Sequence, residues 1–238
     1  MLVHAGVADT RMWAGVAPLL AQSHELFVHE MRGFGGTPLT PEAFSHAADL
    51  EAALSGPAVL VGASYGGQVC LELASRRPDL VAGLVLLAPA LPDHDWSPEI
   101  EAFGRDEMAE LLAGRLERAV DLNVERWGGR LDDAGRRLLA DMQRRAFELQ
   151  LEVDAEDEEP EAIPLGRIEA RTLVAVGNRD VDDFRRIGER LVAELPDAEL
   201  RELDGAGHLP AMERPGEVAE LILEFLAHDG NQNDLGEP

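Results

Sequence analysis

VGASYGGQVCLELASRR, residues 61–77, sets a serine on the boundary between two periodicities. Val59, Leu60 and Val61 form a short apolar run of the kind that fills a buried strand. From Val69 onward, Leu71, Leu73 and Ala74 recur with the spacing of a helix face. Ser64 therefore falls on a strand-to-helix turn, with Gly62 before it and Gly66 and Gly67 after it. The pattern Gly62-Ala63-Ser64-Tyr65-Gly66 matches G-x-S-x-G, a weak signal alone and a strong one between strand and helix. Such a turn crowds neighbouring backbone, which is why glycines are needed there. It raises the hydroxyl over the sheet and places a helix N-terminus beneath it, where N–H groups favour a developing negative charge. The bland reading of the same residues is a tight turn with an N-cap serine.

Outward from this turn, short apolar runs alternate with helical patterns. Residues 2–3, 26–30 (LFVHE), 58–62, 83–88, 172–177 and 198–203 read as strands. Between them, 12–22, 43–55, 66–76, 184–195 and 216–227 carry apolar residues at three- and four-residue steps. This alternation predicts an α/β fold with a mostly parallel sheet and helices on both faces. Several strands are continuously apolar, as a sheet covered on both sides requires. Between residues 92 and 166 the alternation stops. Helical spacing at 107–116, 119–127 and 135–150 predicts an all-helical insertion, ending in the acidic, solvated segment from Glu152 to Glu161. The domain plan is a core over 1–91, a helical cap over 92–166, the core again over 167–228 and a disordered tail over 229–238.

Composition narrows the functions. The net charge of −25 disfavours nucleic acid and anionic membrane as partners. All 21 basic residues are arginine, which excludes a Schiff-base lysine and a P-loop lysine. The lone Cys70 sits in an apolar helical pattern and reads as a small buried hydrophobe. No run approaches the ~20 apolar residues of a membrane span, and the N-terminus lacks a signal peptide's pattern. A cytoplasmic location is the expectation.

A serine at neutral pH needs a base. TLVAVGNRD ends one strand with Asp180, and LDGAGHLP follows the next with His208. The C-terminal ends of parallel strands share one edge, so Ser64, Asp180 and His208 converge there, in the chain order such a sheet uses. Asp182 and Asp183 compete with Asp180 for the acid's role.

These residues resemble the α/β-hydrolase fold family over nearly the whole chain. LVHAG is similar to its oxyanion-loop segment, MRGFGGTP to its R-G-x-G turn, GASYGG to its nucleophile elbow, VGNRD to its acid turn and GAGHLPAMERP to its histidine loop. The resemblance implies Ser64 as nucleophile, His208 as base and then acid, and Asp180 as the group that orients the imidazole. It implies the backbone N–H groups of Tyr65 and Gly6 as oxyanion hole, and no cofactor or metal. His4 then braces the oxyanion loop and Arg32 fixes its turn. Where the family usually has His-Gly this chain has His4-Ala5, and Glu30 replaces a common aspartate. The chain opens almost at the third of the family's usual eight strands, so the first two have no counterpart. LFVHE then becomes an edge, and the expectation is either a natural start upstream of Met1, which is favoured, or edge-to-edge pairing with poor solubility. Trp13, Trp96, Trp127 and Phe147 are candidates to line an apolar acyl pocket under the cap.

The function these readings predict is a serine hydrolase acting on a small to medium ester, lactone or related acyl compound. Two alternatives stay open. One is a family relative with different chemistry, such as cofactor-free perhydrolysis or haloperoxidation, carbon–carbon bond hydrolysis or a lyase reaction. The other is a ligand-binding protein on the same scaffold. Oligomeric state is not readable from the sequence.

Overall fold

A computed structural model describes residues 1–153, 155 and 162–230. In chain order the elements are β1 (Leu2–Val3), α1 (Ala17–Leu20), β2 (Val28–His29), α2 (His46–Ala52), β3 (Ala58–Ala63) and α3 (Tyr65–Arg76). Then follow β4 (Val81–Leu87), α4 (Pro98–Leu112), α5 (Leu116–Trp127) and α6 (Asp133–Glu152). The chain closes with β5 (Arg171–Gly177), α7 (Asp182–Glu194), β6 (Ala198–Leu203), α8 (Pro210–Glu213) and α9 (Pro215–Gly230).

The strands form one sheet in the order β2-β1-β3-β4-β5-β6, and every neighbouring pair is parallel. Helices lie around it: α3 packs on β3 and β4, and α7 on β5 and β6. This is the mostly parallel α/β architecture expected. Leu60, Leu84, Val85, Leu86 and Val174 are fully buried in the central strands, because both faces of the sheet are covered. The order also positions the site. From β1 the chain runs to one side, to β2, and then returns to β3 on the other side. The connections after β1 and β3 therefore diverge, which opens a crevice at the strand C-termini. The loop carrying His4 to Gly6 and the turn carrying Ser64 border that crevice.

Several local expectations differ. The helix expected over 107–116 is interrupted after Leu112, with Gly114 at φ 69° before α5 begins, and the one expected over 43–55 is only His46–Ala52. The strand expected over 26–30 is only Val28–His29, because its one partner, β1, offers only Leu2 and Val3 for pairing. Phe27 stands 59% exposed beside it. The helix expected over 12–22 is a 3₁₀ turn at Thr10–Trp13 followed by α1, whose first turn holds Pro18; proline has no N–H to continue an earlier helix. At the other end, α9 runs through Gly230, beyond the expected start of the tail at 229. Most of the acidic segment, 154 and 156–161, and the rest of the tail, 231–238, lie outside the described residues.

Candidate active site

One residue makes the turn between β3 and α3. Ser64 adopts φ 49° and ψ −118°, a conformation that side chains disfavour. Besides the bonds its carbonyl accepts from Gly67 and Gln68 N–H, two bonds from across the sheet hold it there. Its N–H donates to Leu87 O at 2.9 Å, and its carbonyl accepts from Ala90 N–H at 3.1 Å, both from the end of β4 and its sequel. A Cβ on Gly62 would lie 2.6 Å from Gly66 O, and one on Gly66 only 2.3 Å from His4 O. Bare backbone at both positions lets β3, α3 and the loop after β1 meet. The Ser64 side chain makes no capping bond to α3, contrary to the N-cap reading. It turns instead to His208.

His208 Nε2 stands 3.0 Å from Ser64 Oγ, and His208 Nδ1 stands 2.8 Å from Asp180 Oδ2. Both side chains of the His208–Asp180 pair are 3% exposed. The carboxylate accepts, so Nδ1 carries the proton and Nε2 is left to accept from the serine hydroxyl. The acid and histidine loops are joined by bonds of their own. Arg179 N–H donates to Ala206 O at 2.9 Å, and Gly205 N–H donates to Asn178 Oδ1 at 2.7 Å. Asp180 Oδ1 accepts Val181 N–H at 2.7 Å, so both carboxylate oxygens are engaged. Neither competing acid reaches His208: Asp182 pairs with Arg185 and Arg186, and Asp183 binds His94 and Ser97.

Around the serine, Tyr65 N–H is the first amide of α3 and has no carbonyl one turn earlier in that helix to bind. Gly6 packs against Tyr65, with an added Cβ 3.2 Å from Tyr65 Cβ. Ala5 N–H donates to Met12 Sδ at 3.2 Å, whereas the Gly6 amide makes no hydrogen bond within the described residues. His4 is fully buried; its Nε2 accepts Met31 N–H at 3.1 Å, which leaves Nδ1 to donate to Ala5 O at 2.9 Å. Burial pushes its pKa down to about 4, so it is neutral and ties the loop after β1 to the segment after β2. Glu30 accepts from Thr10 Oγ1 and Gly36 N–H, both at 2.8 Å. Arg32 pairs with Asp49 and lies over the Phe44 ring, away from the triad. Burial also pushes the Cys70 thiol up to about 12, which makes it inert.

The four aromatic candidates separate. Trp127 lies tilted against the His208 ring with centroids 4.4 Å apart, and Phe184 lies tilted against it at 4.2 Å. Trp96 joins this group through Phe184 at 5.5 Å. Trp13 does not: it is buried in the main core. Phe147 packs with Ala119 and Val120 in a small cluster of its own among α5 and α6. Sequence reasoning missed Phe184, because one aromatic at a helix start looks like any core residue. A cavity of about 660 Å³ borders His208 and Asp180 without reaching Ser64. Arg126, Arg130, Arg179 and Arg186 line it together with Glu99, Asp182 and Glu213. Among the described residues no three His, Cys, Asp or Glu side chains are grouped to hold a metal, and no helix is long and apolar enough to cross a membrane.

A family model described as the alpha/beta hydrolase family matches residues 1–221. The chain belongs to the alpha/beta hydrolase family. It is similar to the pimeloyl-(acyl-carrier protein) methyl ester esterase of Aromatoleum aromaticum, 30% identical, over 95% of this chain and 97% of that protein. Among solved structures it is similar to a thermophilic esterase from Thermogutta terrifontis, with a TM-score of 0.76 and 25% identity, over 96% of this chain and 89% of that one. The enol-lactonase of Burkholderia xenovorans LB400 shares the fold, with a TM-score of 0.76 at 20% identity, over 95% of this chain and 90% of that one. This α/β-hydrolase is accordingly an enzyme, of the carboxylic ester hydrolase kind.

Proposed function

We propose that this α/β-hydrolase cleaves a small to medium carboxylic ester or lactone through Ser64, His208 and Asp180. The observation that carries the reading is the unbroken chain of contacts from Ser64 Oγ to His208 Nε2 at 3.0 Å and from His208 Nδ1 to Asp180 at 2.8 Å. His208 takes the serine proton as Oγ attacks the ester carbonyl, and the oxyanion turns toward the amides of Tyr65 and Gly6. The imidazolium, stabilised by Asp180, then protonates the leaving alkoxide. A water activated by His208 attacks the acyl-serine and releases the acid, restoring Ser64. No step calls on a cofactor.

In this reading residues 92–166 act as a cap over a core built from 1–91 and 167–228. Trp127 at the end of α5 supports it, since it brings the insertion into contact with the His208 ring. The kinship with a methyl ester esterase supports a compact alcohol as leaving group. The test is a panel of methyl esters graded by acyl length and bulk, assayed with the wild type and Ser64→Ala. Hydrolysis by the wild type and none above background for the variant is expected; equal rates for the two would overturn the reading.

A further inference from the structure

We propose that Glu213 is a positioning residue for His208, holding the amides on both sides of it so that the imidazole stays between Ser64 and Asp180. The inference rests on the triad reading above and extends it to the loop. Glu213 closes α8, a single turn, and its carboxylate folds back over the start of that turn. There Oε2 accepts Gly207 N–H at 2.6 Å and Oε1 accepts Leu209 N–H at 3.2 Å. His208 is the residue between these two amides. A second observation concerns the residue before it. A Cβ on Gly207 would lie 2.9 Å from Glu213 Oε1, so a side chain there would push the carboxylate off its place.

The residue type matters. Here the two N–H donors meet two different oxygens, and an ionised carboxylate supplies both in charge-assisted bonds. Glutamine has the same shape but one acceptor, and its NH₂ would face a backbone N–H. Freed amides would let the histidine loop drift, and a misplacement of about 1 Å costs on the order of 10²-fold in rate. The loss falls on kcat, because Glu213 orients the base through the backbone and lies outside the triad's own contacts.

The experiment compares Glu213→Gln, Glu213→Ala and Gly207→Ala with the wild type, with Glu217→Gln as control; Glu217 pairs with Arg214 on the surface. Steady-state kinetics on a short-chain aryl ester should show kcat down about tenfold for Glu213→Gln and roughly 10²-fold for Glu213→Ala, with KM within about threefold. A readout that needs no turnover is the low-field proton resonance of the His208–Asp180 bond, which should shift or broaden in Glu213→Gln. If Glu213→Ala does not fold, Glu213→Gln and Gly207→Ala carry the test. Unchanged kcat together with an unchanged resonance in Glu213→Gln would overturn the proposal. A wild type that neither hydrolyses esters nor reacts with a fluorophosphonate overturns the triad reading instead, and the resonance still decides for or against Glu213.

Discussion

The buried carboxylate of Asp183 accepts the amide N–H of Ser97 at 2.9 Å, which joins the first turn of α7 to the residue that caps α4. The same oxygen meets His94 Nε2 at 3.1 Å. Burial works to raise the Asp183 pKa, but the bonds from Ser97 and His94 outweigh it and hold the carboxyl below the usual range. An acid beside Asp180 in the sequence thus anchors the entry to the helical insertion. Asp183→Ala leaves the part-buried Ser97 amide and His94 ring without their acceptor and should cost about 2 kcal/mol. Urea unfolding of the two proteins measures this, and coincident midpoints would refute the anchoring role.

Asp180→Asn keeps the shape of the acid but lets the imidazole adopt the wrong tautomer, so kcat should fall by up to ~10⁴-fold. Asp182→Asn touches only exposed pairs with Arg185 and Arg186 and should leave kcat unchanged. Steady-state assays of both variants check the assignment. A damaging Asp182→Asn beside a harmless Asp180→Asn would move the acid to the neighbouring turn.

Acid sensitivity should come in part from His4. Its folded pKa lies at about 4, below the ordinary value of 6.5, because the buried ring is desolvated. The unfolded chain therefore binds a proton between these values and the folded one does not. Stability from this group is fully present above about pH 6.5 and is lost as pH falls toward 4, by roughly 3 kcal/mol over the window. Denaturant titrations at several pH values, for the wild type and His4→Asn, measure the difference. Equal slopes in the two proteins between those pH values would exclude His4 as a source.

How much of this was legible in the sequence depends on how local each cause is. Ser64, Asp180 and His208 each follow a strand in a turn with its own glycine signature, so parallel strands were enough to foresee their meeting. The aromatic surround of His208 was legible only in part, since Trp96 and Trp127 were among the candidates and Phe184 was not. Trp127 and Phe147 both sit on apolar faces of insertion helices, and only the packing of α5 and α6 sends one to His208 and the other to a separate cluster. Asp183 resembles an ordinary first-turn acid of a helix, since its partners lie 86 and 89 residues away. Glu213 carried no distinct signal because its bonds exist only once the loop folds back on itself. The length of β2 was overestimated at both ends for a similar reason: an apolar run predicts burial, but the pairing length belongs to β1.

The most direct measurement of the central claim is covalent labelling with a fluorophosphonate, followed by intact mass and peptide mapping of the wild type and Ser64→Ala. One adduct per chain on the peptide containing Ser64, lost in a folded Ser64→Ala, is the result expected if the Ser64–His208–Asp180 contacts activate that hydroxyl. Labelling of Ser64→Ala at the wild-type rate, or an adduct that maps to another residue, would contradict it.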